Sequence, residues 1–299
     1  AVNFMLQGNN LIIIIGGATG MIWDPGGKEG ERTFLDPDTL THNVQSITDQ
    51  VQLLIQHISK ISRKDLTSQI QIMDNSIFYE WVSYINFLRE VGKHITVNSM
   101  MTRENIKRRL TEAGKFISYT EFSYMLMQGY DFLQLYRQYQ VRLQIAWSDQ
   151  RGNITMGTEL IRKIENIDAF GLTAPLILAS NGKKFGKSEW NALRLDKHKT
   201  SIADMYHYFY NAADEDVDRY LKLLTLYSLD EISAIVEEHL SYPEKRLGQQ
   251  KLAEGIMQIL YGNDADTFSQ FYHFKKRDLA ECQAVIDQKC YPQIHTIQN

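Results

Sequence analysis

Three groups of residues in this 299-residue chain have types and spacing that could do chemistry. Tyr124, Gln128 and Asp131 stand at i, i+4 and i+7, which places them on one face of a helix. The rest of that stripe is Phe, Met and Leu, where a carboxylate is costly unless it is paired or hydrogen-bonded. The stripe reads either as a pocket wall offering polar groups or as satisfied core residues. Ser148, Asp149 and Gln150 follow an apolar run, at the carboxyl end of a strand, where open α/β sheets bind ligands. A turn leading into a helix at Asn153 is the alternative. The third group is the lysine-rich GKKFGKS (182–188). It has three residues between its glycines where GxxxxGK[ST] has four, so it is not a P-loop. It still suits polyphosphate charge, with a solvated basic loop as the plain alternative. From Lys183 to Lys199 the lysines and Arg194 outnumber Glu189 and Asp196, a local excess that phosphates can use.

The elements that must position these groups alternate. Residues 2–7 read as the end of a helix stopped at Gly8, Asn9 and Asn10. Leu11–Ile15 is wholly apolar and β-branched at four of its five positions, the pattern of a strand buried on both faces. It runs into Gly16, Gly17, Ala18, Thr19 and Gly20, where backbone can approach a ligand closely. A helix end followed by a strand is the tail of a βαβ unit, so the chain is expected to begin within a domain. Helices are expected at 39–61, 77–90, 102–112, 118–139 and 153–164, and strands at 69–73, 141–147 and 172–179. This alternation predicts an α/β domain around a mostly parallel, Rossmann-like sheet. Beyond about Thr200 the pattern is only helical, clearest over 228–240 and 243–261. Pro243 suits a first helical position and Gly262 a C-terminal stop. The predicted division is 1–199 for the α/β domain, 200–262 for a helical domain, and 263–299 for a helical or irregular tail.

Composition excludes several classes. With 43% hydrophobic and 23% charged residues the chain is an ordinary globular one rather than a disordered one. A net charge of −4 gives no global positive field for nucleic acid, so any such contact needs local patches. Cys282 and Cys290 match no zinc or CxxC spacing and make no disulfide framework, and a reducing compartment is the expectation. No apolar run approaches the ~18 residues of a membrane helix, and no signal peptide is evident. Ala1 is expected to be a processed end or a fragment boundary. The histidines are scattered, with no HxxxH and no GxSxG elbow, so no metal site is expected.

Six ordered blocks carry a resemblance: GGATGMIWDPGGKEGERT (16–33), FLREVGKHITVNSMM (87–101), SYTEFSYMLMQGYDFLQLY (118–136), LQIAWSDQRGNITMGTELIRK (143–163), FGLTAPLILASNGKKFGKS (170–188) and DVDRYLKLLTLYSLDEI (216–232). Together they resemble the catalytic body of bacterial and organellar tyrosyl-tRNA synthetases, which are class I ligases. The YxxxQxxD helix and KFGKS favour the tyrosine branch over the tryptophan one. The resemblance implies that Lys184, Lys187 and Ser188 belong to a mobile loop holding pyrophosphate charge. Lys28 and Arg32 lie on a second such loop. Asp24, Tyr124 and Gln128 hold the amino group of tyrosine, Asp131 its phenolic hydroxyl, and Gln144 and Gln150 complete that pocket. Asp149 holds the ribose. A pocket that hydrogen-bonds a substrate hydroxyl rejects the analogue lacking it, and this family is a known instance. The implied substrates are tyrosine, ATP with Mg2+, and tRNA(Tyr), with no tightly bound metal. The implied assembly is a homodimer formed through helices at about 77–110, and the implied compartment is the cytoplasm, with the mitochondrial matrix or another organelle as alternative.

The same resemblance marks departures. The family's first strand, with its HIGH signature, is expected ahead of Ala1, and its anticodon-reading domain has no counterpart in 263–299. Ala146 and Trp147 stand where the family has paired glycines, and an indole there is expected to crowd the nucleotide. Trp23, Arg151 and Ile202 replace a glycine, a tryptophan and a proline. The alternatives to a ligase are therefore a catalytically degenerate relative serving as scaffold or RNA-binding subunit within a larger assembly, and a tyrosine- or nucleotide-binding regulatory module.

Overall fold

A computed structural model describes residues 2–22, 24, 34–111, 116–177, 193–196 and 198–262. Four strands are present among them: β1 (Leu11–Ile15), β2 (Ile70–Asp74), β3 (Leu143–Trp147) and β4 (Phe170–Ala174). The helices are α1 (Val2–Leu6), α2 (Gly17–Gly20), α3 (Pro37–Ser62), α4 (Tyr84–Glu90), α5 (Val97–Met101), α6 (Glu104–Thr111), α7 (Tyr119–Tyr139), α8 (Arg151–Glu165), α9 (Ile202–Tyr210), α10 (Asp214–Leu224), α11 (Leu229–Ser241) and α12 (Leu247–Tyr261).

The strands are parallel, as the alternation requires, because each pair is joined through a helix. They hydrogen-bond as two pairs, β1 with β2 from Leu11↔Ile70 to Ile15↔Asp74, and β3 with β4 from Leu143↔Phe170 to Trp147↔Ala174. Only Ile15 of β1 is fully buried, so the expectation of a strand covered on both faces is corrected: Leu11 to Ile14 are half-buried in a two-stranded pair.

Two compact units arise. One takes residues 1–4, 10–48 and 70–176; the other takes 5–9, 49–69 and 177–299. The core of the first is formed by Phe132, Leu133, Met156, Leu160 and Ile161 of α7 and α8, together with Met73, Phe78 and Ile106. In the second, Tyr206, Leu221, Ile232, Leu252 and Ala253 bring α9 to α12 together. Each large side chain of this kind contributes about 1.5–3 kcal/mol on burial. The His57 ring meets the carbonyl of Ile259 at 3.1 Å within that second unit.

Two helical expectations are corrected. Residues 77–90 are not one helix: a 3₁₀ turn spans Asn75–Phe78, capped by the Asp74 carboxylate, and α4 starts only after Ser83, whose hydroxyl caps Asn86. Pro243 opens a 3₁₀ turn, and Arg246 in the left-handed region (φ 54°) separates that turn from α12. Gly262 does stop α12, with φ at 59°. β4 begins at Phe170, two residues before the expected start, because the Phe170 amide donates to the Arg142 carbonyl at 2.7 Å.

Candidate active site

The carboxyl ends of three strands and the faces of two helices supply the site, all within the first unit. α7 is fixed at its start by a capping box, in which the Ser118 hydroxyl accepts from the Glu121 amide and the Glu121 carboxylate accepts from the Ser118 amide. It ends at Gln140 in the left-handed region. α8 lies against it through glycines: a Cβ on Gly157 would stand 2.8 Å from the Phe132 ring, and one on Gly129 would stand 3.0 Å from Met156 and Leu160. This close approach holds Gln128 of α7 beside Asn153 of α8.

The first polar cluster surrounds Asp131, which is only 4% exposed. Asn75, just past β2 and fully buried, donates from Nδ2 to Asp131 Oδ2 at 2.8 Å and to Thr19 Oγ1 at 3.1 Å. Its Oδ1 accepts from the Ala18 amide at 2.9 Å. The glycine-rich turn after β1 is therefore a short helix held by this chain's own asparagine. The Tyr79 hydroxyl reaches Asp131 Oδ1 at 2.7 Å and the Met127 carbonyl at 2.9 Å. Burial pushes the Asp131 carboxyl up to about 7, against the pull of its bonds from Asn75 and Tyr79. Burial and then the Asp131 charge hold the Tyr79 phenol far above its usual value. A carboxylate has about four acceptor positions and two are filled here, so a ligand hydroxyl finds an acceptor.

The second cluster converges on the Asn153 side chain, which is 2% exposed. Its Nδ2 lies 3.0 Å from Gln128 Oε1, 3.0 Å from Gln150 Oε1 and 3.3 Å from Asp24 Oδ2. Gln150 Nε2 also donates to Asp24 Oδ2 at 2.6 Å. Three acceptor oxygens thus surround one nitrogen carrying two protons. Tyr124 links the clusters: burial, then the Asp24 charge, push its phenol up to about 12, opposed by a hydrogen bond with Thr19. On β3, Gln144 Oε1 is buried without a hydrogen-bond partner.

The family of class I tRNA synthetases (W and Y) matches residues 1–268. The chain belongs to that family. It is 43% identical over 262 residues to a tyrosine–tRNA ligase of Flavobacterium johnsoniae, covering 86% of this chain and 59% of that relative. It is also 43% identical over 266 residues to the tyrosine–tRNA ligase of Streptococcus mutans, covering 88% and 61% respectively. The chain thus spans about three fifths of the length of these curated relatives. Among solved structures, the C-terminally truncated mitochondrial tyrosyl-tRNA synthetase of Aspergillus nidulans superimposes with a TM-score of 0.78 at 28% identity, covering 89% of this chain and 76% of that one. The corresponding enzyme of Coccidioides posadasii gives 0.77 at 29%, covering 90% and 75%. An archaeal tyrosyl-tRNA synthetase from Archaeoglobus fulgidus shares the Rossmann-like fold, with a TM-score of 0.59 at 13% identity, covering 87% and 81%.

In this synthetase chain, Asp24, Gln128 and Gln150 come together around Asn153, and Tyr124 and Asp131 lie close enough to affect one another. Asp149 is exposed on the 3₁₀ turn after β3. Lys28, Arg32, Lys184, Lys187 and Ser188 lie outside the described residues. Trp147 is 44% exposed, and strand alternation sets it with Leu143 and Ile145, opposite Gln144 and Ala146. Four residues of the clusters escape a reading of the sequence: Thr19, Asn75, Tyr79 and Asn153. Asn75 carried a signal, since it follows a strand end as Ser148 does.

Proposed function

We propose that this chain is a tyrosine–tRNA ligase that activates tyrosine with ATP and transfers it to tRNA(Tyr). The observation that carries the proposal is the pair of clusters. A buried carboxylate with open acceptor positions suits a phenolic hydroxyl. Asp24 Oδ2, Gln128 Oε1 and Gln150 Oε1, three acceptor oxygens converging at Asn153, suit an ammonium group with three protons. An amino acid carrying both groups is tyrosine, and relatives at 43% identity carry that substrate in their names.

In this reading Asp24, Tyr124 and Gln128 hold the amino group, Asp131 accepts from the phenol, Gln144 and Gln150 complete the pocket, and Asp149 holds the ribose. The tyrosine carboxylate attacks the α-phosphorus of ATP, the bond to the bridging oxygen breaks, and pyrophosphate leaves. Such a step needs alignment and neutralised charge more than a strong base. Lys184, Lys187 and Ser188 of the basic loop, with Lys28 and Arg32, supply that neutralisation. Mg2+ belongs to the reading as an ion brought by the nucleotide, whose phosphates supply its oxygens.

The assembly proposed is a homodimer. Trp81 is 90% exposed, and Tyr84, Ile85 and Leu88 beside it are exposed as well. A contiguous apolar surface of this kind marks an interface. The domain division at about residue 200, with 77–110 as the dimerising insertion, belongs to the same proposal. No described helix is long and apolar enough to cross a membrane; residence in the cytoplasm, or in an organelle such as the mitochondrial matrix, is part of the proposal.

Tyrosine-dependent exchange of pyrophosphate into ATP tests the activity, with phenylalanine as control. Exchange specific to tyrosine is expected. A folded, dimeric protein that binds tyrosine and shows no exchange would overturn the ligase reading for this polypeptide.

A further inference from the structure

Asp24, Gln150, Asn153 and Gln128 form one hydrogen-bonded chain whose sense is fixed at one end. A carboxylate accepts and cannot donate, so the Gln150 amide turns its nitrogen to Asp24 Oδ2, at 2.6 Å. Its oxygen is thereby turned to Asn153, which must offer nitrogen in return, and Asn153 Nδ2 lies 3.0 Å from Gln150 Oε1. That nitrogen has a second proton, and Gln128 Oε1 receives it, also at 3.0 Å. Asp24 Oδ2, at 3.3 Å, is the most distant of the three oxygens. Reversing any one of these amides would set like atom against like. The sense of bonding therefore passes from Asp24 through the turn after β3 and the first turn of α8 to the middle of α7. Asn153 is the relay at which it divides. Its backbone is well fixed, because the neighbouring Ile154 is fully buried and packs on Gly171 of β4 so closely that a Cβ there would collide with it.

We propose that Asn153 is a positioning residue for the amino group of the substrate: by donating to both glutamines it keeps Gln128 Oε1 an acceptor toward the ammonium and holds Gln150 and Asp24 in register. This rests on the reading of tyrosine as the amino acid bound. A glutamine oxygen has two acceptor positions, and Asn153 fills one on Gln128, so the other is aimed by a bond already made. The two ends of an amide are nearly equal in size, and sterics alone do not choose between them. Without the donor from Asn153, Gln128 can turn its nitrogen to the ammonium, where donor faces donor. Orienting the acceptor before the ligand arrives spares the ligand that cost.

Asn153→Ala removes both protons. Tyrosine is compared with 3-(4-hydroxyphenyl)propanoate, which has the same phenol and carboxylate but no amino group, each by competition against radiolabelled tyrosine. Tyrosine affinity is expected to fall about tenfold, the scale of one hydrogen bond to a charged group, while that of the propanoate holds within about twofold. A merely structural role would weaken both ligands alike. Equal losses, or an unchanged tyrosine affinity, would overturn the proposal. If the alanine protein does not fold, Asn153→Ser, which keeps one proton, is expected to lose tyrosine affinity selectively and by less. A serine protein whose two affinities fall together, or not at all, overturns the proposal equally. A parent protein that binds no tyrosine, or binds the propanoate as tightly as tyrosine, refutes the substrate reading instead, so the two failures are distinguishable.

Discussion

Replacing Asp131 by asparagine should make the protein more stable at alkaline pH while weakening its selection of tyrosine. The amide can keep the two contacts that the carboxylate makes. Its oxygen can accept from Asn75, its nitrogen can donate to Tyr79 Oη, and the Tyr79 proton then serves the Met127 carbonyl at 2.9 Å. What disappears is the charge. The carboxyl rises from an ordinary 3.8 to about 7 in the fold, so the unfolded chain releases its proton first. Below pH 3.8 both states are protonated and this group contributes its full stability. As pH climbs through the window to about 7 that stability is lost, and above it nothing further changes. Roughly three pH units at 1.36 kcal/mol each amount to about 4 kcal/mol, of which about 2–3 kcal/mol falls between pH 5 and pH 8. Asp131→Asn should therefore gain on the parent by about that much over this interval. Urea unfolding followed by far-ultraviolet circular dichroism at pH 5 and pH 8 measures the difference. A gap that fails to widen with pH, or an asparagine protein less stable than the parent at pH 8, would refute the idea that desolvation dominates at Asp131. The preference for tyrosine over phenylalanine should fall in the same variant, since an amide offers a poorer acceptor than a carboxylate.

Three further outcomes are expected. Gly157→Ala sets a methyl 2.8 Å from the Phe132 ring, and overpacking of about 1–3 kcal/mol should exceed the helix-propensity gain of about 1 kcal/mol. A net loss of urea stability, with weaker tyrosine binding as Asn153 moves from Gln128, would show it; unchanged stability counts against the close approach of α7 and α8. Trp81→Asp, at a position 90% exposed, should abolish dimerisation at micromolar concentration in sedimentation velocity, and an intact dimer would remove that patch from the interface. Lys187→Ala should slow pyrophosphate exchange by on the order of 10²-fold with tyrosine affinity unchanged, and exchange at the parent rate would take Lys187 out of the mechanism.

How much was legible in the sequence depended on how local the cause was. α7 could be read from its own residues, because Ser118 and Glu121 announce its start and its apolar spacing needs only α8 to pack on. β1 and β3 were evident as short apolar runs. The stretch 77–90 misled because only part of its apolar spacing serves this chain's own core: Phe78 is buried, while Trp81 and Ile85 remain 90% and 70% exposed. A pattern that the core uses only in part gives a helical signal without a helix throughout. In the site, Gln128, Asp131 and Gln150 were found because they lie on readable elements, while Asp24 entered only through the family resemblance. Asn75, Tyr79 and Asn153 were not found, since their roles exist only across bonds such as Asn75–Asp131, which span 56 residues. Sequence spacing reports neighbours on one element, and these groups act between elements.

The glycine contact between α7 and α8 bears also on the order in which this molecule assembles. Only β3 and its connections separate the two helices, so the bond between Gln128 and Asn153 closes a loop of 25 residues. The bond between Asp24 and Gln150 closes one of 126. Loop-closure entropy favours the shorter first. The wall formed by Gln128 and Asn153 thus belongs to a nucleus that can dock early, while the contact from Asp24 arrives with the long-range topology. Substitutions at the glycines should accordingly slow folding, whereas substitutions at Asp24 should chiefly speed unfolding.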